Sequence, residues 1–364
     1  MLLDAASVWS KAWPILFAIL FFGVIILIHE LGHFTVAKLS GIKVNEFAIG
    51  MGPKLLSFGK GETKYSLRLI PMGGYVQMEG EDEASEDERA FNQKPVWKRF
   101  LVVIAGAVMN IILGLVLVAI LLTQQNLIGT TQIAGFHENA SSQSSGLQEG
   151  DVITHINGTS VWSDRDISFL MARDRDGVID FTVKRDGQKT ELKNVKFDTR
   201  EVDGQTVITF DFIIIGENKT FWNVLKTSFL ETASMARLVW LSLFDLVTGR
   251  FGLSDLAGPV GTVSVIAEAT TSGGFLNALS LMAFITINIG VFNLLPIPGL
   301  DGGRLFFLII EGIRRKPINP KREGMIHAIG LVLMFALIAV VTFNDILRLI
   351  RGLSLIHISE PTRQ

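Results

Sequence analysis

Four stretches of this chain, roughly 13–36, 99–122, 275–310 and 326–347, stay apolar for about twenty residues or longer. A helix of that length matches the ~30 Å hydrocarbon core of a bilayer. In lipid a backbone must satisfy its own polar groups, which a helix does locally. The expected class is a polytopic α-helical membrane protein with about four transmembrane helices. Apolar residues make up 49% of the chain before glycine is counted, in keeping with that class.

The first run, Trp13 to Ile28, has the length of a signal peptide but not its flanks. Only Lys11 precedes it as a basic residue, and no small-x-small cleavage site follows. It flows into His29-Glu30-Leu31-Gly32-His33, so it reads as a retained helix. The third run is interrupted by Pro296, Pro298 and a Gly-Gly pair. A further apolar stretch, 221–247, carries Lys226, Glu231, Arg237 and Asp245, which suit a helix lying on the membrane surface better than a span.

Lysine and arginine set the orientation. They crowd the segment between the first two spans, from Lys38 to Arg99, and the segment between the last two, from Arg314 to Arg322. Both segments are expected on the cytoplasmic side, which puts 123–274 outside the cytoplasm. Net charge is −2, so nothing favours nucleic acid as a partner. The chain has no cysteine, and any metal must be held by His and carboxylate.

The expected organisation has five parts. Residues 1–122 form an N-terminal membrane part. Within it, 62–79 reads as a β-hairpin: Tyr65 to Ile70, a turn at Pro71-Met72-Gly73-Gly74, then Tyr75 to Met78. The acidic run Glu79 to Glu88 reads as a solvated loop. Residues 128–216 are β-rich, with a turn–strand–turn at Gly146 to Gly158, a short helix at 165–173 and a hairpin closed by Asp186-Gly187. The stretch GLQEGDVITHING resembles a PDZ domain of the bacterial protease type. Residues 217–274 are a surface helix and linker, and 275–352 a C-terminal membrane part. Residues 353–364 resemble translated vector sequence and read as a non-native tail, which removes His357 as a ligand.

His29, Glu30 and His33 form H-E-x-x-H. Residues four apart share a helix face, so both imidazoles can hold one Zn²⁺ while Glu30 reaches an attacking water. Two histidines merely satisfied in a core are the bland alternative. Charged groups inside a membrane cost about 2.5–3.5 kcal/mol each at its centre, which argues that this cluster is paired or functional. A hydrolytic zinc site needs a third protein ligand. His137 and His155 fall in the exported region, and His327 opens the fourth span without a companion motif. Asp301, within Asn293-Leu-Leu-Pro-Ile-Pro-Gly-Leu-Asp301-Gly-Gly, is the leading candidate. Both motifs lie toward the cytoplasmic half of their spans, and broken backbone at membrane depth belongs where it lines protein or water.

These motifs together resemble the site-2 protease family of intramembrane zinc metalloproteases, in particular the bacterial branch that degrades anti-sigma factors. The resemblance rests on HELGHF at 29–34, EFAIGMGPKL at 46–55, MGGYVQMEGED at 72–82, PVWKRFLVVIAGAVMN at 95–110, LAGPVG at 256–261 and NLLPIPGLDGG at 293–303. It implies zinc held by His29, His33 and Asp301, with Glu30 as general base. It implies substrate contacts from Asn293 and Asn288, and a membrane-dipping hairpin with an edge strand near Gly73 and Gly74; a plain cytoplasmic cover is the other reading of that hairpin. It further implies a bacterial cytoplasmic membrane location, contact with the lipid bilayer, and single-span substrates such as an anti-sigma factor or signal-peptide remnants. The family's proline after Gly106 is Ala107 here, which leaves the role of Asn110 open. Only one PDZ domain fits between spans two and three. A catalytically silent adaptor would lack zinc, and a transporter should show internal repeats, of which there are none.

Overall fold

A computed structural model describes residues 5–81, 83, 85–174, 176–202, 205–249, 258–271 and 274–350. The tail 353–364 lies outside them. In chain order the elements are α1 (Ala5–Leu39), β1 (Val44–Phe58), β2 (Lys64–Met78), α2 (Val96–Gln124), β3 (Ile128–Phe136), α3 (Ser141–Ser144), β4 (Val152–Ile156) and β5 (Thr159–Ser160). Then come α4 (Asp164–Ala172), β6 (Val178–Arg185), β7 (Gln188–Lys196), β8 (Thr199–Val202), β9 (Gln205–Ile208) and β10 (Phe212–Glu217). The chain continues through α5 (Phe221–Val247), α6 (Pro259–Thr271), α7 (Gly274–Phe292), α8 (Asp301–Arg314) and α9 (Pro320–Ile350). The described residues fall into two compact units, 5–117 with 238–350, and 118–237.

Among the described residues, four helices are long and apolar enough to cross a membrane, at Ile15–Leu39, Val96–Gln124, Gly274–Phe292 and Lys321–Leu347. The expected third span, 275–310, is two helices. Pro296 and Pro298 stop α7 after Phe292, and α8 restarts only at Asp301. The expected linker before it contains α6, whose fully buried Ile266 joins Ala18, Phe21 and Ile25 of α1 in one apolar cluster. Buried Asp345 of α9 accepts the N–H groups of Gly258 (3.3 Å) and Gly261 (2.8 Å), satisfying donors at the start of α6.

The sheet of the first unit differs from the expected hairpin. Residues 65–70 and 75–78 do not pair with each other; both belong to β2. β1 and β2 form one long antiparallel hairpin whose turn lies at 59–63, with Phe58 opposite Tyr65 and Val44 opposite Met78. Midway the ladder bends, at Gly50, Gly52 and Gly73, which take φ of 84°, 82° and 86°. The bend brings 64–67 alongside 46–49 in parallel, from Glu46 opposite Lys64 to Ile49 opposite Leu67. Across the sheet the segments therefore run 74–78, 44–49, 64–67, 54–58. Among the described residues, segment 74–78 is an edge. Val44, Phe47, Val76 and Met78 bury one face of the sheet against Val102 and Val103 of α2 and Leu305 and Leu308 of α8.

In the second unit the strands order as β10-β3-β4-β6-β7, with β5 beside β4. Alternate residues of β6, Ile179, Phe181 and Val183, point into the core with Ile153, Leu170 and Met171. Buried Asp151 locks the first turn: Arg185 donates to both its oxygens at 2.8 Å, and Gln148 N–H to one at 2.9 Å. The first part of α5 docks on α4 through Arg165–Glu231 (2.8 Å) and Arg237–Asp166 (3.0 Å), with the Arg237 guanidinium 4.0 Å above the Trp162 ring.

Candidate metal centre

His29 and His33 stand one turn apart on α1, their rings 4.8 Å apart and edge-to-face. Asp301 is the first residue of α8, where an acidic side chain suits the helix N-terminus. The preceding loop folds tightly onto that first turn. A Cβ on Gly302 would lie 2.0 Å from Leu295 O, so only glycine fits. From α9, His327 Nδ1 accepts the Gly299 N–H at 2.9 Å and pins the same loop.

The three side chains converge. His29 Nε2 and His33 Nε2 each lie 3.2 Å from Asp301 Oδ2 and 3.2 Å from one another. A tetrahedral zinc with bonds of ~2.0–2.1 Å holds its donors ~3.3–3.4 Å apart. Buried Asp301 Oδ2 accepts no hydrogen bond among the described residues, which suits an atom reserved for a cation. Two imidazoles and a carboxylate without cysteine are a donor set that fits zinc.

Outer contacts orient the rings. His33 Nδ1 sits 2.8 Å from Val102 O, so that nitrogen carries the proton and Nε2 offers its lone pair inward. The Asn110 side-chain amide lies 3.2 Å from His29 Nδ1, and its Oδ1 is buried without a donor. Exchanging the amide's N and O gives His29 Nδ1–H its acceptor and fixes the same tautomer. Gly106 of α2 makes the space: a Cβ there would stand 2.3 Å from His33 Nε2 and 2.7 Å from His29 Cε1.

A cavity of about 160 Å³ opens on this cluster, lined also by Glu30, Tyr75, Glu81 and Arg304. Glu30 makes no hydrogen bond to the described residues, which leaves both carboxylate oxygens for a water. Gly74 brings the sheet edge against α1; a Cβ on it would meet Glu30 Cγ and Ala48 O, each at 3.0 Å. Gly73 sits against the Met51 side chain, 2.8 Å from its Cε on the same measure. Asn288 and Asn293 are not among the cavity's lining residues. Asn288 donates to Phe284 O of its own helix at 2.7 Å, and Asn293 directly follows α7, its N–H on Ile289 O at 3.0 Å.

Sequence reasoning passed over Tyr75, Glu81 and Arg304. A signal existed for Arg304, which follows Asp301 by three residues and shares its helix face.

The model of peptidase family M50 matches residues 17–337. The chain belongs to peptidase family M50, the site-2 protease family. This M50 peptidase is 40% identical over 333 residues to a Clostridium acetobutylicum protein that is named for zinc metalloprotease activity by inference, covering 91% of this chain and 97% of that one. It is 32% identical over 413 positions to the regulator of sigma-W protease RasP of Bacillus subtilis, covering 91% and 97%. It is 33% identical to the zinc metalloprotease RasP of Bacillus licheniformis, covering 91% and 98%. The 413 aligned positions exceed this chain's 364 residues, so the B. subtilis protein carries a segment without counterpart here. Family and donor set agree: the protein is a zinc metalloprotease with several membrane-spanning helices.

Proposed function

We propose that the protein cleaves peptide bonds within transmembrane segments, with His29, His33 and Asp301 holding the zinc and Glu30 serving as general base. The observation that carries this is the triangle of donor atoms, 3.2 Å on each side, on helices of a membrane-spanning unit. When bound, zinc acidifies a water and polarises the scissile carbonyl. Glu30 takes the proton of the attacking water and passes it to the departing amide nitrogen.

A substrate helix hides its amides in its own hydrogen bonds, so it must be unwound before attack. The edge segment 74–78 offers unpaired backbone groups beside Glu30, and strand addition there would hold the substrate extended. Gly73 and Gly74 keep that edge slim, while Asn293 and Asn288 remain candidates for substrate contact if α7 shifts as substrate enters. Leu55, Leu56, Phe58 and Leu69 of the sheet are more than half exposed, which favours a sheet immersed in lipid over a cytoplasmic cover.

The β-rich unit, 128–216, reads as a single PDZ domain outside the cytoplasm that filters substrates. The location is the bacterial cytoplasmic membrane, with the sheet on the cytoplasmic side. RasP of B. subtilis is named a regulator of sigma-W, and an anti-sigma factor or a signal-peptide remnant is the substrate class proposed here.

Zinc analysis of purified protein, together with cleavage of a single-span model substrate, tests this. Glu30→Gln should abolish cleavage with zinc retained, and Asp301→Ala should lose both. Full activity in Glu30→Gln would overturn the assigned base.

A further inference from the structure

Glu81 and Arg304 both line the catalytic cavity, and they are ion-paired with each other through Glu81 Oε1 and Arg304 Nη1. They come from the two parts whose relative placement matters most. Glu81 follows the edge segment 74–78 by three residues, and Arg304 lies one turn beyond Asp301 on α8.

Glu81 is delivered from a fixed turn. Glu79 N–H donates to Lys43 O at 2.9 Å, and its carboxylate accepts from Asn45 (2.9 Å) and Ser85 (2.7 Å). Gly80 then takes φ of 70°, and a Cβ on it would lie 2.1 Å from Asn92 Oδ1, so the chain must turn there. Arg304 is equally fixed, because Gly302 and Gly303 seat the first turn of α8 against the backbone of 294–297.

We propose that the Glu81–Arg304 pair sets the cleavage register, by holding the substrate-binding edge at a constant position relative to Asp301. The inference rests on the reading that 74–78 receives the substrate strand. In an added strand, successive peptide bonds are ~3.4 Å apart and alternate in direction. A shift of the edge relative to the ligand helix therefore presents a different bond to Glu30. Both residues are positioning residues; they need not touch the reacting atoms.

The test is the bond cut, not the rate. Full-length wild type and variants, in liposomes, are given one single-span substrate, and the product ends are read by mass spectrometry. Wild type should cut chiefly at one bond. Glu81→Gln and Arg304→Gln should each move about a third or more of their cuts to bonds one or two residues away, ~3.4–6.8 Å along the strand. Glu81→Arg combined with Arg304→Glu should return to one bond. Single variants that cut only where wild type cuts, at whatever rate, would overturn the proposal, as would a paired reversal that scatters like the singles.

A second readout needs no activity. The chain has no native cysteine, so spin labels can be placed at exposed Gln77 and Ile313 alone. Their distance distribution should broaden in Glu81→Gln, with zinc content unchanged; an unchanged distribution counts against the pair. Failure of the underlying reading looks different. Gly74→Val cutting at the wild-type rate would remove strand addition itself, whatever the spin labels report.

Discussion

His29 and His33 are legible as a pair because the i, i+4 relation is local and helix geometry alone brings them together. What tunes them is not local. Val102 O reaches His33 across 69 positions of chain, and Asn110 reaches His29 across 81. Neither relation leaves a spacing signature, and a backbone carbonyl leaves none of any kind. Gly106 is the sharpest case. Its substitution by alanine is mild in a helix, yet the added methyl would occupy the volume of the His33 ring. Gly106→Ala should displace the imidazole and lower zinc affinity at least tenfold, measured by competition with a chelator, while helix content is unchanged. Asn110→Leu removes the outer acceptor of His29 without adding volume at the metal. The expected loss of zinc affinity is ~10–100-fold, the usual cost of losing such a contact. Asn110→Asp keeps an acceptor and should retain most of it.

Among the elements, the spans were readable from length and polarity, but the sheet was not. Strand runs at 65–70 and 75–78 are visible in the sequence, whereas the segment that both flank, 46–49, lies in EFAIGMG, which has no clean alternation. Turn residues at Pro71 to Gly74 suggested a hairpin where the chain instead bends within one strand. α6 was hidden because a helix of 13 residues is too short to register as a span, although its burial is complete at Ile266. The bent sheet is held by Glu46. Burial works to raise the Glu46 pKa, but hydrogen bonds from Ser66, Lys54, Arg68 and Tyr75 outweigh it and hold the group at about 2. A depressed carboxylate pKa stabilises the fold at neutral pH, and that contribution is lost as pH falls from about 4.5 through about 2. Protection against hydrogen exchange in β1 and β2, taken relative to the intrinsic rate at each pH, should therefore hold down to about pH 4 and fall below it. In Glu46→Gln it should be weaker at neutral pH and flatter with acid. At the same edge, Gly74→Val should lower kcat/KM by at least tenfold with zinc retained, because the side chain meets Glu30 and Ala48 O.

Across the whole molecule, the proposed metal site draws on segments that the sequence keeps 268 to 272 positions apart, α1 and the start of α8. Between them run the sheet, α2 and the entire β-rich unit. A cation bound there stabilises only the folded chain, since the unfolded chain brings no such donors together. Metal at a thousandfold excess over its dissociation constant contributes about 4 kcal/mol by mass action. The loop before Asp301 limits how much of that is realised, because it rests on the His327–Gly299 bond and on glycine seats with no room for a side chain. Chelation of the wild-type protein in detergent should therefore lower its melting temperature by several degrees, reversed by zinc but not by magnesium. His327→Ala should melt lower at equal zinc and need more zinc to reach its plateau. Asp301→Ala should show no zinc-dependent rise at all. A zinc-dependent rise of wild-type size in Asp301→Ala would mean that the metal binds elsewhere, and the triangle of donors would then have no claim to it.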